Sequence, residues 1–140
     1  DDMGYTTRFT GAMALSRALT MQEAKTLLDF NQDPDLIQGD KPNSYLQWVP
    51  SEDLQHIVWD EGEKFYSYDE WMTWLIRHLD GIGIKVNGHL YWVGEDRTDT
   101  GEIAVIDSQM TVTPNKKAAM KQKPLTLSKL GEMALEQITS

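Results

Sequence analysis

The side chains best suited to chemistry are concentrated in WDEGEKFYSYDEWMTWLIRHL, residues 59–79. Asp60, Glu61 and Glu63 follow one another closely there, and paired carboxylates can act as general acid and general base. A small hydrolase that uses Asp60 and Glu63 is therefore one hypothesis. The chain has no cysteine and no HExxH or GxSxG pattern. We predict no metal site and no cofactor.

Two acidic turns are candidates for contact with a partner protein. Tyrosines beside carboxylates can anchor a basic groove on a partner. The candidate partner-binding residues are Asp60, Glu61, Glu63, Lys64, Tyr66, Glu95 and Asp96. Acidic turns after strands are also common as plain solvent-exposed surface, so both interpretations remain open.

The tryptophans support a different hypothesis, a pocket for a small ligand or a nucleotide between helix and sheet. The residues that could line it are Trp48, Trp59, Trp71 and Trp92. Trp71 also falls on the apolar stripe of a predicted helix, where tryptophan usually serves packing.

Charge is distributed unevenly along the chain. Residues 1–115 carry eight basic and twenty acidic side chains, a net charge of −12, whereas residues 116–140 carry five lysines and two glutamates, a net charge of +3. Phosphate binding requires cations on the docking face, so the acidic body argues against direct binding of nucleic acid. It favours basic partners, including proteins that themselves bind nucleic acid. No apolar run is long enough to span a bilayer.

Local patterns predict most of the secondary structure. Alternation from Tyr5 to Leu15 indicates a half-buried strand. Capping-box patterns at Thr20–Glu23 and Ser67–Glu70 predict two helices, the first over Met21–Phe30. YLQWV and HIVWD form a predicted hairpin, and FYS is expected to resume its second strand.

The C-terminal half predicts two further hairpins. Asn87-Gly88 between IGIKV and HLYWV is typical of a type I′ turn. EIAVI and MTVTP flank Asp107-Ser108-Gln109 as a final hairpin.

These elements together indicate an α+β domain, one antiparallel sheet with two helices packed on one face. A ferredoxin-like core with extra hairpin strands is the simplest arrangement. Residues 1–113 form the predicted domain, and 114–140 a basic tail that is flexible or ordered by a partner. The uncovered face of the sheet leaves a homodimer open.

Four segments resemble a family of small proteins encoded by bacteriophages and some bacteria. They are GYTTRFTG, QWVP, IVWDEGEKFYSYDEWMTWLI and NGHLYWVGED, within residues 4–107. The resemblance implies a phage accessory protein in the cytoplasm of the bacterial host, and it assigns no catalytic residue. Together with the charge, it makes a non-enzymatic protein that binds and modulates a host protein the leading hypothesis.

Overall fold

The computed structural model describes residues 4–36 and 41–115, which form one six-stranded sheet and two helices. In chain order the elements are β1 (Arg8–Leu15), α1 (Met21–Gln32), β2 (Trp48–Pro50), β3 (His56–Trp59), α2 (Tyr68–Asp80), β4 (Val86–Val93), β5 (Thr100–Ile106) and β6 (Gln109–Pro114). The strand order in the sheet is β2-β3-β1-β4-β5-β6, and every neighbouring pair is antiparallel.

The first four strands and both helices have the ferredoxin-like βαββαβ topology. Helix α1 connects β1 to β2, and β3 is inserted between those two strands. Helix α2 connects β3 to β4, and β1 is inserted between them in the same way. This interleaving is the split βαβ arrangement. The predicted α+β fold is confirmed, and the extra hairpin is β5–β6.

The core lies on one face of the sheet because strand side chains alternate with a period of two. Phe9 and Met13 of β1 are buried on this face, opposite Trp92 and Gly88 of β4. The buried stripe of α2 packs with them in a single apolar cluster, which includes Trp71. The alternation that the sequence shows from Tyr5 to Leu15 therefore marks the face of β1 that enters the core.

The other face of the sheet carries mostly small and polar side chains. Ala12 of β1 and Ala104 of β5 flank His89 of β4 in register. Nδ1 of His89 lies 2.5 Å from Oε2 of Glu102, a carboxylate that is only 5% exposed. This contact joins β4 to β5. We call this side of the sheet the outer face.

The two predicted capping boxes have different outcomes. Thr20 and Glu23 form both reciprocal bonds, and the helix begins at Met21 as predicted, although it extends to Gln32 rather than Phe30. The prediction of a capping box at Ser67 is wrong. Ser67 has a left-handed backbone (φ 60°) and makes no side-chain cap bond; its hydroxyl accepts a bond from Asn43 instead.

The predicted hairpin turn at Asn87-Gly88 is also wrong, because both residues lie inside β4. Gly88 is needed there for close packing: a Cβ at this position would lie 2.5 Å from the carbonyl oxygen of Ala12. The type I′ turn is at Asp107-Ser108, with φ values of 50° and 66°. Asn87 supports that turn, since its Oδ1 accepts the Asp107 N–H at 2.7 Å.

The segment predicted as the first strand of that hairpin mostly forms the turn that follows α2, which ends at Asp80. Ile84 N–H donates to the carbonyl of Leu79, and Gly83 N–H donates to that of Asp80. With Gly83 at φ 81°, these two bonds are a Schellman motif. Residues 81–85 therefore terminate a helix, and β4 begins only at Val86.

Two further predictions concern the ends of elements. FYS does not resume a strand, because residues 60–67 form a loop that leads into α2. The predicted tail lies outside the described residues from 116 onward, and Pro114 itself ends β6.

Neither described helix is long and apolar enough to cross a bilayer.

The capping box at Glu23 predicts a pH-dependent stability. Arg17 donates two hydrogen bonds to Glu23, and the Thr20 N–H donates a third, so the pKa of Glu23 falls from 4.5 to about 2. A lowered carboxylate pKa stabilises the folded state above the unfolded pKa, and this is lost as the pH falls through the folded pKa. We expect wild type to exceed Glu23→Gln in unfolding free energy above pH 4.5, and the difference to vanish towards pH 2.

Urea unfolding followed by tryptophan fluorescence between pH 2 and pH 7 checks this expectation. Arg17→Met should remove most of the same step, because Arg17 is the largest cause of the shift. A difference between wild type and Glu23→Gln that persists unchanged to pH 2 would contradict the assignment.

Candidate functional site

The topology brings the two acidic turns to the same end of the sheet. Strand β1 lies between β3 and β4 and is antiparallel to both, so the ends of β3 and β4 meet beside the start of β1. The turn after β3 follows Trp59, and the turn after β4 follows Val93. The sequence could not establish this proximity, since the turns are more than thirty residues apart.

Side chains from both turns line one cleft of about 430 Å³ at this end. Its lining residues are Thr6, Arg8, Trp59, Glu61, Glu63 and Glu95. We call it the acidic cleft. Three of the predicted partner-binding residues, Glu61, Glu63 and Glu95, are thus brought together in the lining of one cleft, where Arg8 is the one basic residue among the described lining residues. The cleft therefore carries an excess of negative charge.

The first turn is anchored by a phenylalanine. Phe65 is 3% exposed and packs between Trp48 and Phe9, with ring centroids 4.9 Å and 6.1 Å away. The Tyr68 ring contacts Phe9 at 5.0 Å, and burial raises its pKa to about 12. These edge-to-face contacts fix the middle of the loop to the core, so the neighbouring polar residues are held at the surface.

Asp60 has a structural role in this loop. Its Oδ1 accepts the Gly62 N–H at 2.7 Å, and its Oδ2 accepts a bond from the side chain of Asn31 at 3.0 Å. Asn31 also donates to the carbonyl of Leu46 at 2.9 Å. Both oxygens of Asp60 are thus used: Oδ1 fixes the turn of the loop at Gly62, and Oδ2 joins the loop to the end of α1. Glu61, in contrast, makes no hydrogen bond with any described residue.

Three non-glycine residues of this loop have left-handed backbones: Glu61 at φ 65°, Lys64 at φ 59° and Ser67 at φ 60°. Such conformations cost about 1–2 kcal/mol each for residues with a Cβ. They persist only where surrounding contacts determine them, and they concentrate at functional sites. Here Phe65 and Asp60 supply those contacts, so the loop is held in one conformation.

The second turn is held by the segment that precedes β1. Thr6 N–H donates to Oε2 of Glu95 at 2.8 Å, and the Tyr5 hydroxyl donates to Oδ2 of Asp99 at 2.9 Å. Asp96 bonds Thr98, whose N–H and hydroxyl lower the pKa of the Asp96 carboxyl. Glu95 lines the acidic cleft and also joins the turn to the segment before β1, whereas the Asp96 carboxylate bonds within its own turn.

The four tryptophans of the predicted ligand pocket do not line one common space. Trp48 and Trp71 are fully buried, and Trp92 is 5% exposed and packs against Gly101. Trp48 donates to the carbonyl of Tyr68 at 2.9 Å, and Trp92 donates to Asp99 at 3.0 Å. These three rings are part of the packed core. Trp59 is the one of the four that lines a described cleft.

Several residues of the site were missed from the sequence. Tyr45 and Gln47 were not among the predicted site residues, yet they line a second cleft together with Lys64 and Tyr66, which were predicted. Arg8 precedes Phe9 in β1 and therefore lies on the opposite face of the strand. This alternation was the signal that could have placed Arg8 outside the core. Thr6 acts through its backbone, for which residue type gives no signal.

The described residues contain no group of three or more histidine, aspartate or glutamate side chains that could hold a metal ion. No family model, curated protein or solved structure matches the chain. What the site offers chemically is a fixed arrangement of carboxylates and aromatic rings at one end of a rigid sheet, which suits recognition of a positively charged group.

The different roles of Asp60, which is hydrogen-bonded within the protein, and Glu61, which has no hydrogen bond among the described residues, can be tested. Asp60→Ala should lower the free energy of unfolding by about 1 kcal/mol, because Gly62 and Asn31 lose their acceptor. Glu61→Ala should leave stability within a few tenths of a kcal/mol of wild type. Urea unfolding of both variants measures the difference, and equal destabilisation would contradict these different roles.

Proposed function

We propose that this chain is a non-enzymatic binding protein that engages a basic segment of another protein through the acidic cleft. The observation that carries the proposal is the convergence of Glu61, Glu63 and Glu95 from two separate turns on one cleft. A solvated turn needs no such convergence. A surface that receives cations benefits from it, since the carboxylates act on the same ligand.

The charge of the chain supports the same proposal. Residues 1–115 carry a net charge of −12, so the field around the domain attracts basic partners and repels nucleic acid phosphates. The acidic cleft lies within this field and has Trp59 on its wall. An aromatic side chain adds contact area to the charge, and tryptophan is enriched among the residues that dominate binding energy at protein interfaces.

Catalysis and small-ligand binding have weaker support. The hydrolase hypothesis requires Asp60 as an acid or base, but both of its oxygens accept hydrogen bonds from Asn31 and Gly62. The ligand-pocket hypothesis requires a space between Trp48 and Trp71, which are both fully buried in the core. The resemblance to phage-encoded proteins makes a protein of the bacterial host the partner we propose, bound in the host cytoplasm.

Binding of a fluorescently labelled basic peptide, followed by anisotropy at low and moderate salt, tests the proposal. Wild type should bind at low salt and release the peptide as salt rises. The double variant Glu61→Lys with Glu63→Lys should bind roughly tenfold more weakly, because it replaces two attractive contacts by repulsion. Circular dichroism would check that the variant is folded.

Glu52→Lys is the matched control for charge, and it is compared with the single variant Glu63→Lys. Glu52 is exposed in the loop between β2 and β3, at the opposite end of the sheet from the acidic cleft. Each Glu→Lys change alters the net charge equally, so only the position differs. Loss of binding in Glu52→Lys as great as in Glu63→Lys would indicate a general charge effect and overturn the proposed site.

A further inference from the structure

A second cleft, of about 340 Å³, shares Glu63 with the acidic cleft. Its lining residues are Asn43, Ser44, Tyr45, Gln47, Glu63, Lys64 and Tyr66. We call it the tyrosine cleft. We propose that it receives an arginine side chain of the basic partner, an inference that rests on the proposed function and names the residue recognised.

Gln47 gives the first reason. It is 8% exposed, and its Nε2 donates to the carbonyl of Glu63 at 3.1 Å, which fixes the orientation of the amide. Its Oε1 is buried and has no hydrogen-bond partner among the described residues. An unsatisfied buried acceptor costs about 1–3 kcal/mol, so a guest that reaches this oxygen through the cleft that Gln47 lines gains by bringing an N–H donor.

The walls of the cleft give the second reason. Tyr45 and Tyr66 line the cleft and are 46% and 49% exposed, so their rings are accessible to a ligand. Aromatic faces attract cations, and guanidinium also stacks on them because it is planar. Glu63 supplies a carboxylate at the same place.

These three features select among ligands. A guanidinium has five donors, a positive charge and a flat surface, which match the acceptor of Gln47, the carboxylate of Glu63 and the tyrosine rings. A lysine ammonium provides the charge but not the flat surface. A phosphate or carboxylate ligand brings only acceptors to the unsatisfied acceptor of Gln47, and it adds a second negative charge beside Glu63.

Lys64 is the lining residue with the opposite charge. Its aliphatic stem lies over Gly4, because a Cβ added to Gly4 would be 2.5 Å from Cδ of Lys64. The left-handed backbone of Lys64, with φ 59°, holds it beside Glu63. Its ammonium repels an arginine guest, so Lys64 weakens the binding that we propose. The sign of its effect therefore distinguishes a cationic guest from an anionic one.

The test compares two labelled peptides that differ only in having arginine or lysine at the same positions. Wild type should bind the arginine peptide about fivefold more tightly than the lysine peptide. Tyr66→Ala and Gln47→Met should bring the two dissociation constants close together. Lys64→Met, which retains the stem, should tighten binding of the arginine peptide. Thermal unfolding checks each variant, and the exposed position of Tyr66 keeps the test valid should Gln47→Met fail to fold.

The outcomes separate this inference from the proposed function. Equal affinity of wild type for the two peptides would overturn the arginine site and leave the acidic cleft standing. Weaker binding of the arginine peptide by Lys64→Met would indicate an anionic contact and also overturn it. Absence of binding by either peptide at low salt would overturn both proposals.

Discussion

The ring of Phe9 holds together the elements that form the acidic end of the sheet. It contacts four aromatic rings, those of Trp48, Trp59, Phe65 and Tyr68, at centroid distances from 4.8 to 6.1 Å. These rings belong to β2, β3, the loop after β3 and the first turn of α2. Because Phe9 lies near the start of the central strand, one side chain links all four segments. The positions of Glu61 and Glu63, on the loop that contains Phe65, depend on this buried contact.

The contrast between buried and exposed parts of the loop explains how it can serve recognition. Phe65 is held in the core, and Asp60 is bonded to α1 through Asn31. Glu61 and Glu63 lie between these fixed points and line the acidic cleft. A side chain on a fixed backbone loses less conformational entropy on binding, so the rigid loop favours affinity as well as specificity. The left-handed residues are consistent with a backbone shaped for presentation rather than for stability.

The sequence predicted the fold well where local and periodic signals agree. The alternation of β1 and the Thr20–Glu23 box were sufficient, since each depends on residues close together in the chain. Asn87-Gly88 was misleading because its local preference for a turn was overridden by pairing along the whole of β4 with β1 and by the close approach of Ala12 to Gly88. The actual type I′ turn uses Asp107-Ser108, a less typical pair.

The site was predictable only in part, for a related reason. The acidic turns are visible in the sequence, and the topology then implies that they meet. Which carboxylate is structural depends on distant partners: Asp60 is bonded to Asn31, twenty-nine residues earlier. Gln47 was not among the predicted site residues, and its importance arises from a buried oxygen that lacks a donor. Such features follow from three-dimensional packing rather than from residue type.

Two-dimensional amide NMR of the labelled protein, titrated with an arginine-bearing peptide, most directly tests whether the acidic end of the sheet is the binding surface. We expect the shift changes to concentrate in residues 4–8, 43–48, 60–67 and 94–96. Changes centred instead on the outer face around His89, or on the apolar groove lined by Met21, Leu28 and Leu54, would contradict this assignment.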